Sequence, residues 1–363
     1  VIVRGRSLRL ADVARLLGDP SLLSYDAKKR EAVCRTDLVL DTGAELTIRD
    51  ETLRFESKRR RPLRFVVNYG ATLRILNSTV TTSSDEDYFI WQFCNSTRFG
   101  FPISLLQKEQ CVNTLNYSSL ARIVIENSRI ANCANFFVEN PNELRIVNSK
   151  FEGIREIDEG EYSAPEGLVR QRRRYAEGKK GFWLAINDVD IEDFEIRGVR
   201  FTGSSPLEIV FMLKKEQERW NIYDIDAGGS TISVKRALGS LGGSLRYYES
   251  YIGLVNCRFG KLKVFTPHAC IVPKYYLDVL VTDKAGDPVP GAKVEIMNEV
   301  DRVRYRPENM ERYGVETGDV GEGVSQTLRW HLPIDETITD RNGHTPLPDD
   351  REHTVIVADY ALM

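Results

Sequence analysis

RIVIENSRI (residues 122–130) and ELRIVNSKF (residues 143–151) are two copies of one pattern, set 21 residues apart. Each carries apolar residues at alternate positions, then an Asn-Ser pair, then one more apolar residue. Alternation with a period of two marks a strand that buries one face. The Asn-Ser pair marks a sharp bend, because asparagine tolerates the left-handed backbone best after glycine. Upstream the pattern returns at Leu73, Ile75, Asn77, Ser78 and Val80. Degenerate copies follow at Phe194, Ile196, Gly198, Val199 and Phe201, and at Ile252, Leu254, Asn256, Cys257 and Phe259. The stretch around Trp91, Phe93, Asn95 and Ser96 fits a further copy. A spacing of about 21 residues is one coil of a solenoid, whose units bury their apolar sides only against each other. The expectation is an all-β chain with a right-handed parallel β-helix over residues 37–273. Asn77, Asn127, Asn148, Gly198 and Asn256 would then stack as a ladder bonded from coil to coil.

Residues 1–36 read as a capping segment. SLRLADVARLL (residues 7–17) places Leu10, Val13, Ala14, Leu16 and Leu17 on one helical face, and Gly18 and Pro20 end the helix. Such a helix would cover the open edges of the first coil. Apolar residues form 42% of the chain and charged residues 28%, a folded composition, and no apolar run is long enough to span a bilayer. The net charge of −3 gives no reason to expect nucleic acid as a partner.

Two resemblances follow. TDLVLDTGAELTIRDETLRF (36–55) and GATLRILNSTV (70–80), with the repeats beyond them, resemble the pectate-lyase-like superfamily of right-handed parallel β-helix proteins, its secreted members in particular. That superfamily includes polysaccharide lyases, uronate epimerases, pectin hydrolases and non-catalytic surface proteins. The resemblance implies an extracellular or cell-surface location and a fold, and it carries no active site with it. YLDVLVTDKAGDPVPGAKVEIMNE (276–299), with TDRNGHTPLP (339–348) and HTVIVADY (353–360), is similar to the carboxypeptidase regulatory-like family. It implies a small Ig-like, prealbumin-type β-sandwich over residues 274–363, a module that spaces, packs or adheres.

Candidate chemistry is sparse. The aspartate set, Gly-His-Gly and Arg-x-Lys segments of pectin hydrolases are absent from the repeats, and His268 is the sole histidine there. Asp188, Asp190 and Glu192, and again Asp224 with Asp226, alternate as if along strands and would suit Ca²⁺, although such rows are also the wet surface of a β-helix. Trp183, Trp220, Tyr247 and Tyr248 are candidates to stack on sugar rings, and Arg172, Arg173 and Arg174, in the charged excursion 155–181, to grip an acidic glycan. Of the six cysteines, Cys94 with Cys111 and Cys257 with Cys270 are the nearest neighbours and the candidate disulfides. Asn77, Asn95 and Asn116 open glycosylation sequons. The reading that follows is a non-enzymatic exterior rod, with a second copy of itself or other surface proteins as its expected partners. The alternatives are a lyase or epimerase acting on an acidic polysaccharide in the β-helix groove, and a viral or phage fibre that binds host glycans.

Overall fold

The computed structural model describes residues 1–58, 61–68, 70–93, 120–155, 181–186, 191–203, 208–213, 220–234, 237–241, 244–248, 250–264, 269–276, 280–295, 315–317, 336–338 and 356–358. The repeat copies stack on one sheet but without a constant period: Ile75 and Ile125 are direct neighbours across 50 residues, and Trp91 and Phe93 pair with Phe65 and Val67 in another sheet instead of forming a further copy. Ile48, Ile75, Ile125, Ile146 and Ile196 are register partners in successive parallel strands, and so are Leu46, Leu73, Ile123, Leu144 and Phe194. Single coils therefore stack one above another.

Three faces enclose the core. The first is a ten-stranded sheet, parallel from Leu8–Arg9 through Ala269–Tyr276. The second is a seven-stranded sheet from Leu23–Asp26 to Arg200–Thr202, parallel except for the hairpin that opens it. The third runs as five parallel strands from Ile2–Val3 to Cys133–Ala134, then as six from Phe136–Glu139 to Val315–Thr317. One continuous cluster of buried side chains runs from Val3 to Ile271. Aromatic rings fill its middle: Trp91, Phe136, Phe151, Phe182 and Phe201 touch in sequence with centroids 4.6–5.5 Å apart.

The corner from the first face to the second is the Asn-Ser bend. Asp50, Asn77, Asn127, Asn148, Gly198, Asp224 and Asn256 all take positive φ there, between 48° and 62°. The backbone N–H groups of the first six bond to the adjacent coil, as from Asn77 to Glu126 O at 3.0 Å and from Asn148 to Arg197 O at 2.8 Å. The side-chain ladder, however, belongs mainly to serine. Ser78 N–H donates to Ser128 Oγ at 3.1 Å, Ser128 N–H donates to Ser149 Oγ at 3.2 Å, and each serine hydroxyl donates to the carbonyl two residues before it. Asn77, Asn127, Asn148 and Asn256 point into solvent, and side-chain bonds join Asn77 to Asp50 and Asn256 to Asp224. The physical reason is burial: a polar group inside the wall must find a partner, whereas one outside has water.

The other two corners take the insertions. Residues 94–119 enter between the third face and the first, and 156–180 between the second and the third. An antiparallel hairpin, Ala237–Leu241 with Ser244–Tyr248, also leaves where the third face turns to the first.

At the N-terminal end, helix Leu10–Leu17 buries Leu10 and Val13, and Gly18 ends it with φ 65°. At the other end, Ala269–Tyr276 crosses the expected boundary at 273/274. Ile356–Ala358 pairs antiparallel with it, and Val315–Thr317 pairs parallel with Lys261–Val264. Two segments of the C-terminal region thus extend the solenoid's own sheets. Within that region, Val281–Val289 closes a hairpin whose tip is held by Asp283 Oδ1 accepting from Ala285 N–H and Asp287 N–H. Lys293–Glu295 pairs antiparallel with Glu336–Ile338. The rest of the expected sandwich lies outside the described residues.

Candidate functional site

A ligand-binding groove beside the repeats would lie on the outer surface of the ten-stranded sheet, and that surface is densely charged. Side chains there form rows, since alternate residues point outward and register partners sit about 4.8 Å apart. Arg122 lies 3.5 Å from Glu143 and 2.7 Å from Glu192. Arg145 sits among Glu126 at 3.3 Å, Glu195 at 3.2 Å and Asp193 at 3.7 Å. Arg197 reaches Asp224 at 3.6 Å and lies over the Tyr223 ring at 5.5 Å. In these coils the basic and acidic groups neutralise each other across strands.

A second cluster forms under the cap. Glu51 occupies the position that serine holds in later coils, and its N–H donates to Ser78 Oγ at 3.1 Å, so it ends the serine ladder. Its carboxylate accepts from Arg49 N–H at 3.3 Å and is hydrogen-bonded to the Tyr25 hydroxyl. Burial raises the Glu51 carboxyl above its ordinary range, against the lowering pull of that hydroxyl and of Arg9 and Arg30. Tyr25 is raised too, by its own burial and then by the Glu51 charge.

Because Glu51 binds its proton more tightly in the folded state, its contribution is fully present below about pH 4.3, the ordinary glutamate value. Stability is then lost as pH rises through the folded pKa. Glu51→Gln removes that loss, so the variant should melt above the parent at pH 7, with the gap closing as pH falls to about 4. Thermal melts of both proteins across this range check it, and a constant gap would show that Glu51 does not titrate as argued.

Several sequence candidates are built into the wall. Trp220 is inside the core, edge-on to Phe194 at 4.6 Å, and Trp183 packs with Phe137, Ala185 and Val210 on the third face. Both indoles are buried, at 2% and 6% exposure, so neither offers a ring face to a sugar. Tyr247 and Tyr248 sit on the hairpin opposite Leu238 and Ala237. Arg172, Arg173 and Arg174 lie outside the described residues.

Asp224 and Asp226 do not share a row. Asp224 takes the bend with φ 54°, while Asp226 lies beyond it and pairs with Arg200 at 3.4 Å, so the corner separates the two. Glu192 is bound to Arg122, and Asp188 and Asp190 lie outside the described residues. Among the described residues, no group of three His, Cys, Asp or Glu side chains gathers to hold a metal ion.

Cys34, Cys133 and Cys257 are free, buried thiols. Burial pushes Cys34 up to about 11 and Cys257 up to about 12, and raises Cys133 as well. Cys257 takes the serine place in its coil, its Sγ directed at Val255 O and Ile222 O. The Cys257–Cys270 pairing is not formed. Cys270 is the register partner of Tyr251, and the four strand residues from there to Val255 alone span about 13 Å, beyond the reach of a disulfide. Cys94 and Cys111 lie outside the described residues, as do Asn95 and Asn116. Asn77 is exposed at its bend.

The sequence reading missed Tyr25, Glu51 and the arginine rows. Its available signal for the first pair was Asp50-Glu51 standing where the next coil has Asn77-Ser78, a buried acid in place of a small hydroxyl. Among the described residues, no helix is long and apolar enough to cross a membrane. Compared with family models, curated proteins and solved structures, the chain matches none of them.

Proposed function

We propose that the chain is a non-enzymatic structural and adhesive protein of the cell exterior, in which a β-helical rod carries a C-terminal module that spaces or docks. One observation carries this reading. Beyond its first three coils, the charged and aromatic side chains that would have to do chemistry on the ten-stranded face are committed to joining coils: Arg122, Arg145 and Arg197 to carboxylates, and Trp220 to the core. A group held by neighbours on two or three sides serves cohesion and is a poor acid, base or ligand for a passing substrate. Strands 315–317 and 356–358 give further support, because closing the last coil suits a rod that ends in a second module.

The competing reading, a lyase or epimerase on an acidic polysaccharide, draws on Tyr25, Glu51, Arg9 and Arg30. A tyrosine raised above its ordinary pKa stays protonated at neutral pH and so cannot accept a proton, and a raised, buried glutamate already bonded to it has little freedom to serve substrate. The discriminating experiment is incubation of the protein with a panel of acidic polysaccharides, with and without Ca²⁺, watched for unsaturated uronate absorbance. The rod reading expects no rise above the enzyme-free control. A rise that scales with protein concentration would sink it in favour of a lyase, and a viral or phage fibre would instead bind a host glycan without cleaving it.

A further inference from the structure

We infer that the first three coils of the ten-stranded sheet form a docking surface for a sulfated polysaccharide. This deepens the adhesive reading above by giving it a ligand class. Arg9, Thr47 and Arg74 are register partners in adjacent strands, with Arg49 two residues along from Thr47. All lie between inward-facing neighbours, since Leu10, Leu46, Ile48, Leu73 and Ile75 are buried. At strand spacing, Arg9 and Arg74 stand about 10 Å apart with Thr47 between them, and Arg49 about 7 Å to the side.

The same rows behave differently farther on. The row through Arg74 continues to Val124 and to Arg145, which is surrounded by carboxylates. The row through Arg49 continues to Leu76 and to Glu126, one of those carboxylates. Arg9, Arg49 and Arg74 themselves enter none of the ion pairs among the described residues. Three acids stand near: Asp12, which accepts from Arg9 N–H at 3.1 Å and is paired with Arg15; Glu45, within 3.4 Å of Ser7 Oγ; and buried Glu51, engaged with Tyr25. None of the three is in an ion pair with these arginines. The patch thus presents three guanidinium groups outside any ion pair among the described residues, on a chain whose net charge is slightly negative.

Guanidinium groups present planar forks of N–H donors and are weakly hydrated, which suits them to oxyanions. A sulfate ester is ionised at every physiological pH and has three terminal oxygens, enough for two guanidinium groups and the Thr47 hydroxyl between them. A planar carboxylate has two. A flat face with donors repeating from coil to coil matches a linear polymer that carries its charges in series, and each weak contact gains from its tethered neighbours.

The test uses the full chain and fluorescent dextran sulfate at physiological ionic strength, with polygalacturonate of matched length as the carboxylate arm. The expected result is binding to dextran sulfate that weakens with added salt and falls at least about tenfold in the Arg9→Gln, Arg49→Gln, Arg74→Gln triple variant. The corresponding triple lysine variant, which keeps the charge and loses the fork, should bind at an intermediate level, and Arg122→Gln should bind as the parent does. No binding by the parent, equal binding by the triple glutamine variant, or equal or tighter binding of polygalacturonate would each overturn the inference. Should the glutamine triple melt at a lower temperature, the lysine triple decides. None of these outcomes bears on the absorbance assay, which tests the rod reading separately.

Discussion

Replacing Phe136 with alanine lowers the unfolding free energy by about 3–5 kcal/mol, the range for removing a large aromatic from a packed core. Phe136 is fully buried. Its ring meets Trp91 at 4.6 Å, Phe182 at 4.9 Å in a stacked pair, and Phe151 at 5.0 Å edge-on. These partners come from the coil before, the coil after and the opposite wall, so one deletion opens a cavity in three directions. The neighbours cannot collapse into it, because each is fixed by the backbone pairing of its own strand. In a solenoid the consequence is local in origin, since each coil is stabilised by its neighbours, yet a defect midway separates two half-rods. Urea unfolding should show the midpoint move while Phe136→Leu, which keeps most of the volume, loses under half as much. A loss below about 1 kcal/mol for alanine would mean that the core is not packed as the ring distances say.

The first face was legible from the sequence because it faces water on one side. Leu73, Ile123 and Leu144 alternate with Arg and Thr, so the period of two and the Asn-Ser bend both survive in the chain. The third face was not legible for the opposite reason. Its strands read as apolar runs, RFVV, FIWQF and FWLAI, because outward residues such as Val39, Val66, Tyr88, Ile90, Phe137 and Val210 are covered as well. A strand buried on both sides loses its alternation and its register with it. The arginine rows were hidden by the insertions. Arg74 and Arg145 are separated by 71 positions in the chain and by two strand steps in space, and only the pairing of the strands brings them into one row. The glutamate at position 51 was hidden by chemistry: aspartate and glutamate following a strand suggest a solvated turn, and only the serine ladder reveals that the second of them points inward.

Gly260→Ala should cost at least about 1–3 kcal/mol, the penalty for forcing extra volume into packed structure, and its cause is a backbone with no room to yield. A Cβ built on Gly260 would stand 2.4 Å from Gly229 O and 2.6 Å from Gly229 C in the preceding coil. These are main-chain atoms, and the peptides on either side are tied down: Gly260 N–H donates to Ser230 O at 2.9 Å, and Ser230 N–H donates to Ala227 O at 2.9 Å. Relief requires the two coils to part, which weakens the parallel pairing of Thr231–Val234 with Lys261–Val264 just beyond. Gly198→Ala provides the informative contrast. Its Cβ would lie 2.5 Å from Asn148 Oδ1, a side-chain atom that rotates away, so its cost comes mainly from φ +62°, about 1 kcal/mol. Gly43→Ala, at φ +71° with open space around it, should match Gly198→Ala once that asparagine has moved. Thermal unfolding of the three variants side by side separates contact from conformation. If Gly260→Ala proved no worse than Gly43→Ala, the close approach of Gly229 and Gly260 would have to be given up, and with it the tight stacking of coils at the corner between the second and third faces.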